Sequence, residues 1–72
     1  MLFSINPGSE DSVTDEVRAI AEVLEAYVSY GVYDLIVKIK TDSMERMKEL
    51  ISHRLRTIPG VRSSLTLIMF DE

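Results

Sequence analysis

The chain has 72 residues, no cysteine and a formal net charge of −4 at pH 7. This length allows one domain, and a domain so small buries only about 60% of its unfolded surface, so it must pack well or associate. The missing cysteines exclude thiol catalysis and cysteine-ligated metal sites, and the negative charge argues against direct binding to nucleic acid. No apolar run approaches the roughly 20 residues of a membrane span, and no signal peptide is recognisable. We therefore expect a cytoplasmic protein with no membrane contact.

The first third of the chain predicts a strand, a helix and the start of a second strand. Met1–Ile5 is a short apolar strand candidate that ends at Asn6-Pro7-Gly8, a turn signal. A helix is expected to begin at Asp11 or Ser12 and to be followed by a strand over Glu25–Tyr30, which is rich in β-formers. The apolar stripe of that helix is predicted to be Val13, Val17, Ile20, Ala21 and Leu24.

A two-residue link is predicted between the second and third strands. Gly31-Val32 suits a type II′ hairpin, in which the first central residue needs a positive φ. The third strand is expected over Tyr33–Lys40, so the link places the carboxylate of Asp34 near the start of an apolar strand. A charge in that place needs either solvent or a cationic partner.

A second helix and a last strand complete the chain. Asp42 is expected to cap the helix, with Glu45 three residues later at the spacing of a capping box. Pro59-Gly60 ends the helix, and Val61–Phe70 is the final strand. The residues predicted to be buried on the helix are Met44, Met47, Leu50, Ile51, Leu55 and Ile58.

The element order predicts a fold of the α+β class. A β-α-β-β-α-β order is the split βαβ arrangement of a ferredoxin-like sandwich, with a four-stranded antiparallel sheet and two helices on one face. We expect the first and third strands at the centre as parallel neighbours, and the second and fourth at the edges.

The face of the sheet without helices is expected to be apolar, which favours a homodimer through that face. Strand alternation turns one set of side chains towards the helices, namely Leu35, Val37, Ile39, Leu65, Leu67 and Met69. The oligomer interface is then predicted to contain Tyr27, Ile36, Ile68 and Phe70, with Leu2 beside them. Scattered exposed apolar residues are the plainer alternative.

Three ordered motifs suggest a family. They are YGVYDLIVK at Tyr30–Lys38, IPGV at Ile58–Val61 and TLIM at Thr66–Met69. With these motifs the chain resembles the effector-binding domain of the Lrp/AsnC transcription regulators, also called the RAM domain. The resemblance implies a ferredoxin-like sandwich that dimerises through its sheets, further assembly into a tetramer of dimers, and a small effector, usually an amino acid, between dimers.

The chain departs from that family pattern in two ways. The regulators carry an N-terminal winged helix-turn-helix, whereas here the first strand begins at residue 1. We therefore expect a stand-alone effector domain without direct DNA contact, with full-length regulators of the family as further partners. The family proline before the second strand is also missing, since the chain runs from Ala21 to Glu25 without one.

The resemblance implies effector contacts at Gly31, Asp34, Ser64 and Thr66, with Tyr33 as a wall of the pocket. The chemistry of these residues suits an amino acid. Asp34 can accept from an ammonium group, the open backbone at Gly31 can donate to a carboxylate, and the two hydroxyls, which share strand parity, can add further bonds.

Each of these residues also has a structural interpretation. Gly31 is a turn glycine in any case, and Asp34 is equally able to close the hairpin by bonding local backbone. Ser64 and Thr66 are equally consistent with ordinary strand residues at an oligomer contact. Arg62 is interpreted as a solvated or interface charge rather than a ligand clamp.

No residue pattern predicts catalysis, a metal or a cofactor. His53 lies opposite the apolar stripe, without ligand-spaced partners, and Met44 and Met47 are interpreted as packing residues. The leading hypothesis is an oligomeric amino-acid-sensing regulatory module that is not an enzyme. The alternatives are a small dimeric ferredoxin-like enzyme, an allosteric domain of the ACT type and a purely structural assembly module.

Overall fold

The structure, a computed structural model, describes residues 1–68 and confirms the predicted ferredoxin-like α+β fold. Its elements are β1 (Leu2–Ile5), α1 (Glu10–Arg18), β2 (Val23–Val28), β3 (Leu35–Ile39), α2 (Met44–Leu50), a π-helical turn (Ile51–Leu55) and β4 (Val61–Leu65). Met69 and Phe70, for which the sequence predicts an inward and an outward position, lie outside the described residues.

The four strands form one sheet in the order β2-β3-β1-β4, and every neighbouring pair is antiparallel. The expectation that the central strands β1 and β3 are parallel is wrong. The crossover through α1 makes β1 and β2 parallel but leaves a gap between them. The hairpin returns β3 into this gap, so β3 runs against both of its neighbours.

The core lies between the two helices and one face of the sheet. The largest fully buried side chains are Phe3, Val13, Val17, Leu35 and Leu55. They come from β1, α1, β3 and the π-helical turn, so the core joins all the layers of the sandwich. Burial of such a side chain contributes about 1.5–3 kcal/mol.

The first helix begins earlier and ends earlier than the sequence predicts. Its N-cap is Ser9 rather than Asp11 or Ser12, and its last residue is Arg18. Leu24, predicted on the helical stripe, lies in β2 and is 55% exposed. The cause is the turn after α1, in which Val23 donates to Ile20 O at 3.1 Å and already starts the strand. Ala21, also predicted on the stripe, follows the helix and is exposed.

The predicted two-residue type II′ hairpin is wrong. The β2–β3 ladder stops at Val28 and Leu35, and the amide of Ser29 then donates to Asp34 O at 2.9 Å. The loop inside this bond has four residues, 30–33. Gly31 has a φ of 159°, whereas the type II′ turn needs about +60°. Both strands are therefore shorter at this end than predicted.

The second helix is capped by Ser43, not by Asp42. Ser43 Oγ accepts from the amide of Arg46 at 3.1 Å, so the third helical position is an arginine and no capping box forms. The helix continues as a π-helical turn in which Arg56 N donates to Ile51 O at 3.0 Å. Met44, predicted to be buried, is the first residue of α2 and is 39% exposed.

The last strand ends, within the described residues, at Leu65, and its parity differs from the prediction. Val61 pairs with Ile5, but Ser63 pairs with Ser4, so Arg62 is an extra residue in a β-bulge. A bulge shifts the alternation by one residue. Leu65 therefore faces away from the helices and is 42% exposed, and Leu67 is 61% exposed, so their predicted inward positions are wrong.

Candidate functional site

An apolar row crosses all four strands on the face without helices. Tyr27 pairs with Ile36, Ile36 with Leu2, and Leu2 with Leu65. Paired residues in antiparallel strands point to the same face, and Phe3, next to Leu2, points to the core. The exposed fractions are 56% for Tyr27 and 42% for both Ile36 and Leu65. These four residues form what we name the apolar row.

Charged side chains flank the apolar row at one end. Glu25 pairs with Lys38, two residues along the strands from the pair of Tyr27 and Ile36. The nearby Glu25 carboxylate raises the pKa of Tyr27.

Ile68, another predicted interface residue, follows β4 and is 48% exposed. The predicted interface residues Tyr27, Ile36 and Ile68 are therefore all accessible.

The loop between β2 and β3 is an exposed projection, and we name Tyr30–Tyr33 the tyrosine loop. Tyr30 is 96% exposed and Val32 is 81% exposed, whereas Tyr33 is half-buried. A Cβ atom placed on Gly31 would meet nothing within 4 Å. Open space in front of a glycine leaves its backbone groups accessible to a ligand.

Asp34 is tied to β1 by two hydrogen bonds. Its amide donates to Phe3 O at 2.7 Å, and its Oδ2 accepts from the amide of Ile5 at 2.7 Å. The side chain thus bonds backbone 29 positions away, not the local backbone of the hairpin. The carboxylate is held in a fixed place beside the tyrosine loop, because a charge-assisted bond is short and directional.

The two predicted hydroxyls occupy different surroundings. Ser64 pairs with Phe3 in the ladder and is half-buried. Thr66 follows the end of β4, and its Oγ1 is buried without a hydrogen-bond partner among the residues described. It borders a groove of about 660 Å³ whose apolar walls include Leu24, Met44 and Met47.

The structure brings together only some of the predicted effector residues. Gly31, Tyr33 and Asp34 adjoin one another at the Ile5 end of β1. Thr66 extends past Leu65, which pairs with Leu2, and so lies at the opposite end of β1. At about 3.3 Å per residue, the two ends of β1, Leu2 and Ile5, are about 10 Å apart. Ser64 lies between them, opposite Phe3.

A contact that the sequence analysis missed involves Arg62 and Ser4. Arg62 Nη2 donates to Ser4 Oγ at 2.8 Å across 58 positions of the chain. Ser4 is only 5% exposed, although alternation from buried Phe3 places its side chain on the face without helices. Sequence periodicity does not predict this contact, because the contact depends on the bulge at Arg62.

Within residues 1–68 no helix has the length and apolarity needed to cross a membrane, and no group of three or more His, Asp or Glu side chains is arranged to hold a metal ion. His53 is exposed, as predicted.

Comparison with known proteins gives a family match over the whole chain. The family model described as Lrp/AsnC ligand binding domain matches residues 1–72. An uncharacterised HTH-type transcriptional regulator of Pyrococcus abyssi is 27% identical over 74 residues, covering 99% of this chain and 49% of that protein. The HTH-type transcriptional regulator FL11 of Pyrococcus horikoshii is 29% identical over 69 residues, covering 96% of this chain and 45% of that protein. The chain thus spans about half the length of these regulators.

A solved structure agrees in both fold and sequence. The crystal structure of FFRP-DM1 has a TM-score of 0.92 and 38% sequence identity to this chain. The match covers 96% of this chain and 92% of that one. The two chains therefore share their architecture over almost their full lengths.

Proposed function

This chain belongs to the Lrp/AsnC ligand-binding domain family, and we propose that it is an oligomeric regulatory module that binds an amino-acid effector between subunits. Its family role is regulatory ligand binding rather than catalysis. It acts in the cytoplasm, either in its own assembly or in mixed oligomers with full-length regulators of the family. The net charge of −4 supports a role without direct DNA contact.

The first step of assembly is a symmetric dimer through the apolar row. Tyr27, Ile36 and Leu65 are exposed, Leu2 is half-buried, and all four are paired neighbours across the sheet, so they form a continuous patch of the kind that marks interaction surfaces. A second copy supplies a matching patch, since a two-fold interface uses the same surface twice. An ordinary interface of this kind buries about 800 Å² per partner. Ile68 extends the patch, and Phe70 stays a predicted member of it.

The effector site is then shared between subunits. The observation that carries this proposal is that Asp34 bonds Ile5 at one end of β1, whereas Thr66 lies beyond Leu65, which pairs with Leu2 at the other end, about 10 Å away along the strand. One amino acid cannot touch both residues within a single chain. A site that uses both takes Gly31, Tyr33 and Asp34 from one subunit, and Ser64 and Thr66 from a neighbour, as a tetramer of dimers allows.

The chemistry at the two halves is complementary to an amino acid. Asp34 Oδ2, already fixed by the Ile5 amide, can accept from the effector ammonium as well. The backbone at Gly31 is open to the effector carboxylate. The buried Thr66 hydroxyl has no partner among the described residues, and an effector would supply one.

A purely structural assembly module is the competing function, because the bond from Ile5 to Asp34 gives that carboxylate a structural role by itself. Isothermal titration of the assembled protein against the twenty amino acids separates the two. The proposal expects binding of at least one amino acid, weakened about tenfold or more in D34N, with D15N, at an exposed position of α1 away from the groove, unchanged as the matched control. An assembled oligomer that binds none of the twenty would support the structural role instead.

A further inference from the structure

Tyr30, in the tyrosine loop, is the most exposed of the large apolar side chains in residues 1–68, at 96%. The loop that carries it is closed at its base, because Ser29 N donates to Asp34 O at 2.9 Å and Asp34 is bonded twice to β1. A tyrosine combines a large apolar ring with a polar end, and tyrosines are enriched in protein interfaces. Tyr30 is therefore an aromatic projection on a fixed base, with its ring open to a partner.

The groove beside Thr66 has the size and the walls to receive such a ring. Its volume of about 660 Å³ lies within the range of about 300–1,000 Å³ that is usual for ligand pockets. Met44 and Met47 line it from α2, on the helix side of the sheet, so a dimer through the apolar row leaves this part of the groove open. Methionine side chains adapt their shape and make favourable contacts with aromatic rings.

The polar groups of the groove favour a neutral occupant with a hydroxyl. Thr66 Oγ1 is buried without a partner among the described residues, and an unpaired buried hydroxyl is costly. A phenol hydroxyl both donates and accepts, and it stands at the tip of the ring, which enters a groove first. The charged residues that border the groove balance one another, since they are two lysines and two acids: Lys38, Lys40, Glu25 and Asp42.

Tyr30 and the groove do not meet within one chain. A ring that is 96% exposed is not inserted anywhere in its own subunit. The tyrosine loop lies at the Ile5 end of β1, whereas Thr66 lies beyond the Leu2 end, about 10 Å away along the strand. Two copies bring the loop and the groove together head to tail, and a contact of this heterologous kind forms a closed ring when its rotation allows.

We infer that Tyr30 of one dimer inserts into the groove of the next dimer, where its hydroxyl bonds Thr66. This inference rests on the oligomeric part of the proposed function. The same contact places Gly31, adjacent to Tyr30, beside the neighbouring Thr66, and so brings together the two halves of the effector site. A hydroxyl has one donor and two acceptor positions, so the bond to Tyr30 leaves Thr66 with capacity for the effector.

Sedimentation velocity over a range of protein concentrations separates dimers from larger assemblies and tests this contact. Y30A should weaken the association of dimers about thirtyfold or more, as the loss of a central interface aromatic does, and should leave the dimer itself intact. V32A changes an exposed apolar residue of the same loop. It is the matched control and should assemble like the unaltered protein.

A second matched pair tests the groove. Leu24 and Val28 are equally exposed residues of β2, but only Leu24 lines the groove. L24E places a charge where the ring would be buried, so it should stop assembly at the dimer. V28E adds the same charge outside the groove and should assemble normally.

The hydroxyl bond is tested by Y30F and T66V. Each variant removes one partner of the bond and should weaken the association of dimers about fivefold. Because both remove the same bond, the double variant should be no weaker than either single variant. Fully additive losses would show that the two hydroxyls do not bond each other and would overturn that assignment.

Undiminished assembly of Y30A would overturn the inference and assign the groove to another occupant, either an apolar small molecule or residues 69–72 of the chain. Equal losses in Y30A and V32A, or a protein that stays dimeric at every concentration, would overturn it as well. Calorimetry with the twenty amino acids keeps the proposed function separate. Amino-acid binding by a protein whose Y30A variant assembles normally would leave that function standing without this contact. Assembly that depends on Tyr30, in a protein that binds no amino acid, would reject the effector and keep the contact.

Discussion

The Ile5 amide donates to the side-chain carboxylate of Asp34 at 2.7 Å. This carboxylate takes the place of a backbone carbonyl as the hydrogen-bond acceptor. In an unbroken β1–β3 ladder that amide would bond a carbonyl of the neighbouring strand. The amide of Asp34 bonds Phe3 O in the same region, so this residue closes the end of the ladder with both its main chain and its side chain. One residue thus connects the stability of the sheet to the position of the tyrosine loop.

Two substitutions at Asp34 separate these roles. D34A removes the acceptor of the Ile5 amide, which is part-buried, and should lower the free energy of unfolding by about 1–3 kcal/mol. D34N keeps an oxygen at the same place and should cost less than D34A, but it removes the charge that an effector ammonium needs. Urea unfolding measures the first effect and calorimetry the second. Equal destabilisation by both variants would show that the charge, not the acceptor, stabilises the strand.

A charge in the centre of the apolar row should prevent dimerisation. I36E places a carboxylate between Tyr27 and Leu2, and burial of an unpaired charge in an interface is strongly unfavourable. The expected product is a single chain by light scattering. V32E, at the 81% exposed position of the tyrosine loop, adds the same charge away from the row and should leave the dimer intact. A dimeric I36E protein would contradict the proposed interface.

Gly60 is expected to tolerate no side chain. It has a φ of 100°, and a Cβ there would lie 2.6 Å from Ser9 Cβ and 3.0 Å from Val13 Cγ2. G60A should therefore be destabilised by more than the roughly 1–2 kcal/mol that a left-handed conformation costs alone. Gly8 is the control, since its φ is 90° but nothing lies within 4 Å of an added Cβ. Urea unfolding should give a smaller loss for G8A, and equal losses would mean that the chain relaxes around Gly60.

The ion pair between Glu22 and Arg46 should make the free energy of unfolding depend on pH in the acidic range. Glu22 Oε2 lies 2.7 Å from Arg46 Nε, and this hydrogen bond lowers the pKa of Glu22 below its ordinary value of 4.5. A lowered folded-state pKa means that the stabilisation is complete above pH 4.5 and is lost as the pH falls through the folded-state value.

The measurement is the difference in unfolding midpoint between the unaltered protein and E22Q, followed from about pH 6 to about pH 3. The difference should be small, because the pair is near the surface, and it should shrink on acidification. E16Q removes an exposed carboxylate that has no ion-pair partner among the residues described, so it controls for net charge. A difference that grows towards pH 3 would contradict the assignment.

Local periodic patterns in the sequence were enough to predict the element order, the fold and most of the core. The alternation of Leu35 and Val37 and the stripe through Ile51 and Leu55 repeat at the periods of a strand and a helix, and all four residues are buried. Such periods depend only on residues a few positions apart. The exposed positions of Tyr27 and Ile36 followed from the same pattern.

Tertiary structure decided the contacts between distant positions. The bulge at Arg62 reversed the expected parity of Leu65, and the bonds from Ile5 to Asp34 and from Arg62 to Ser4 span 29 and 58 positions. Sequence periodicity specifies which face a residue occupies but not which strand arrives beside it or in which register. The candidate site is built from such long-range contacts, so its parts were named from the sequence while its arrangement was set only when the sheet formed.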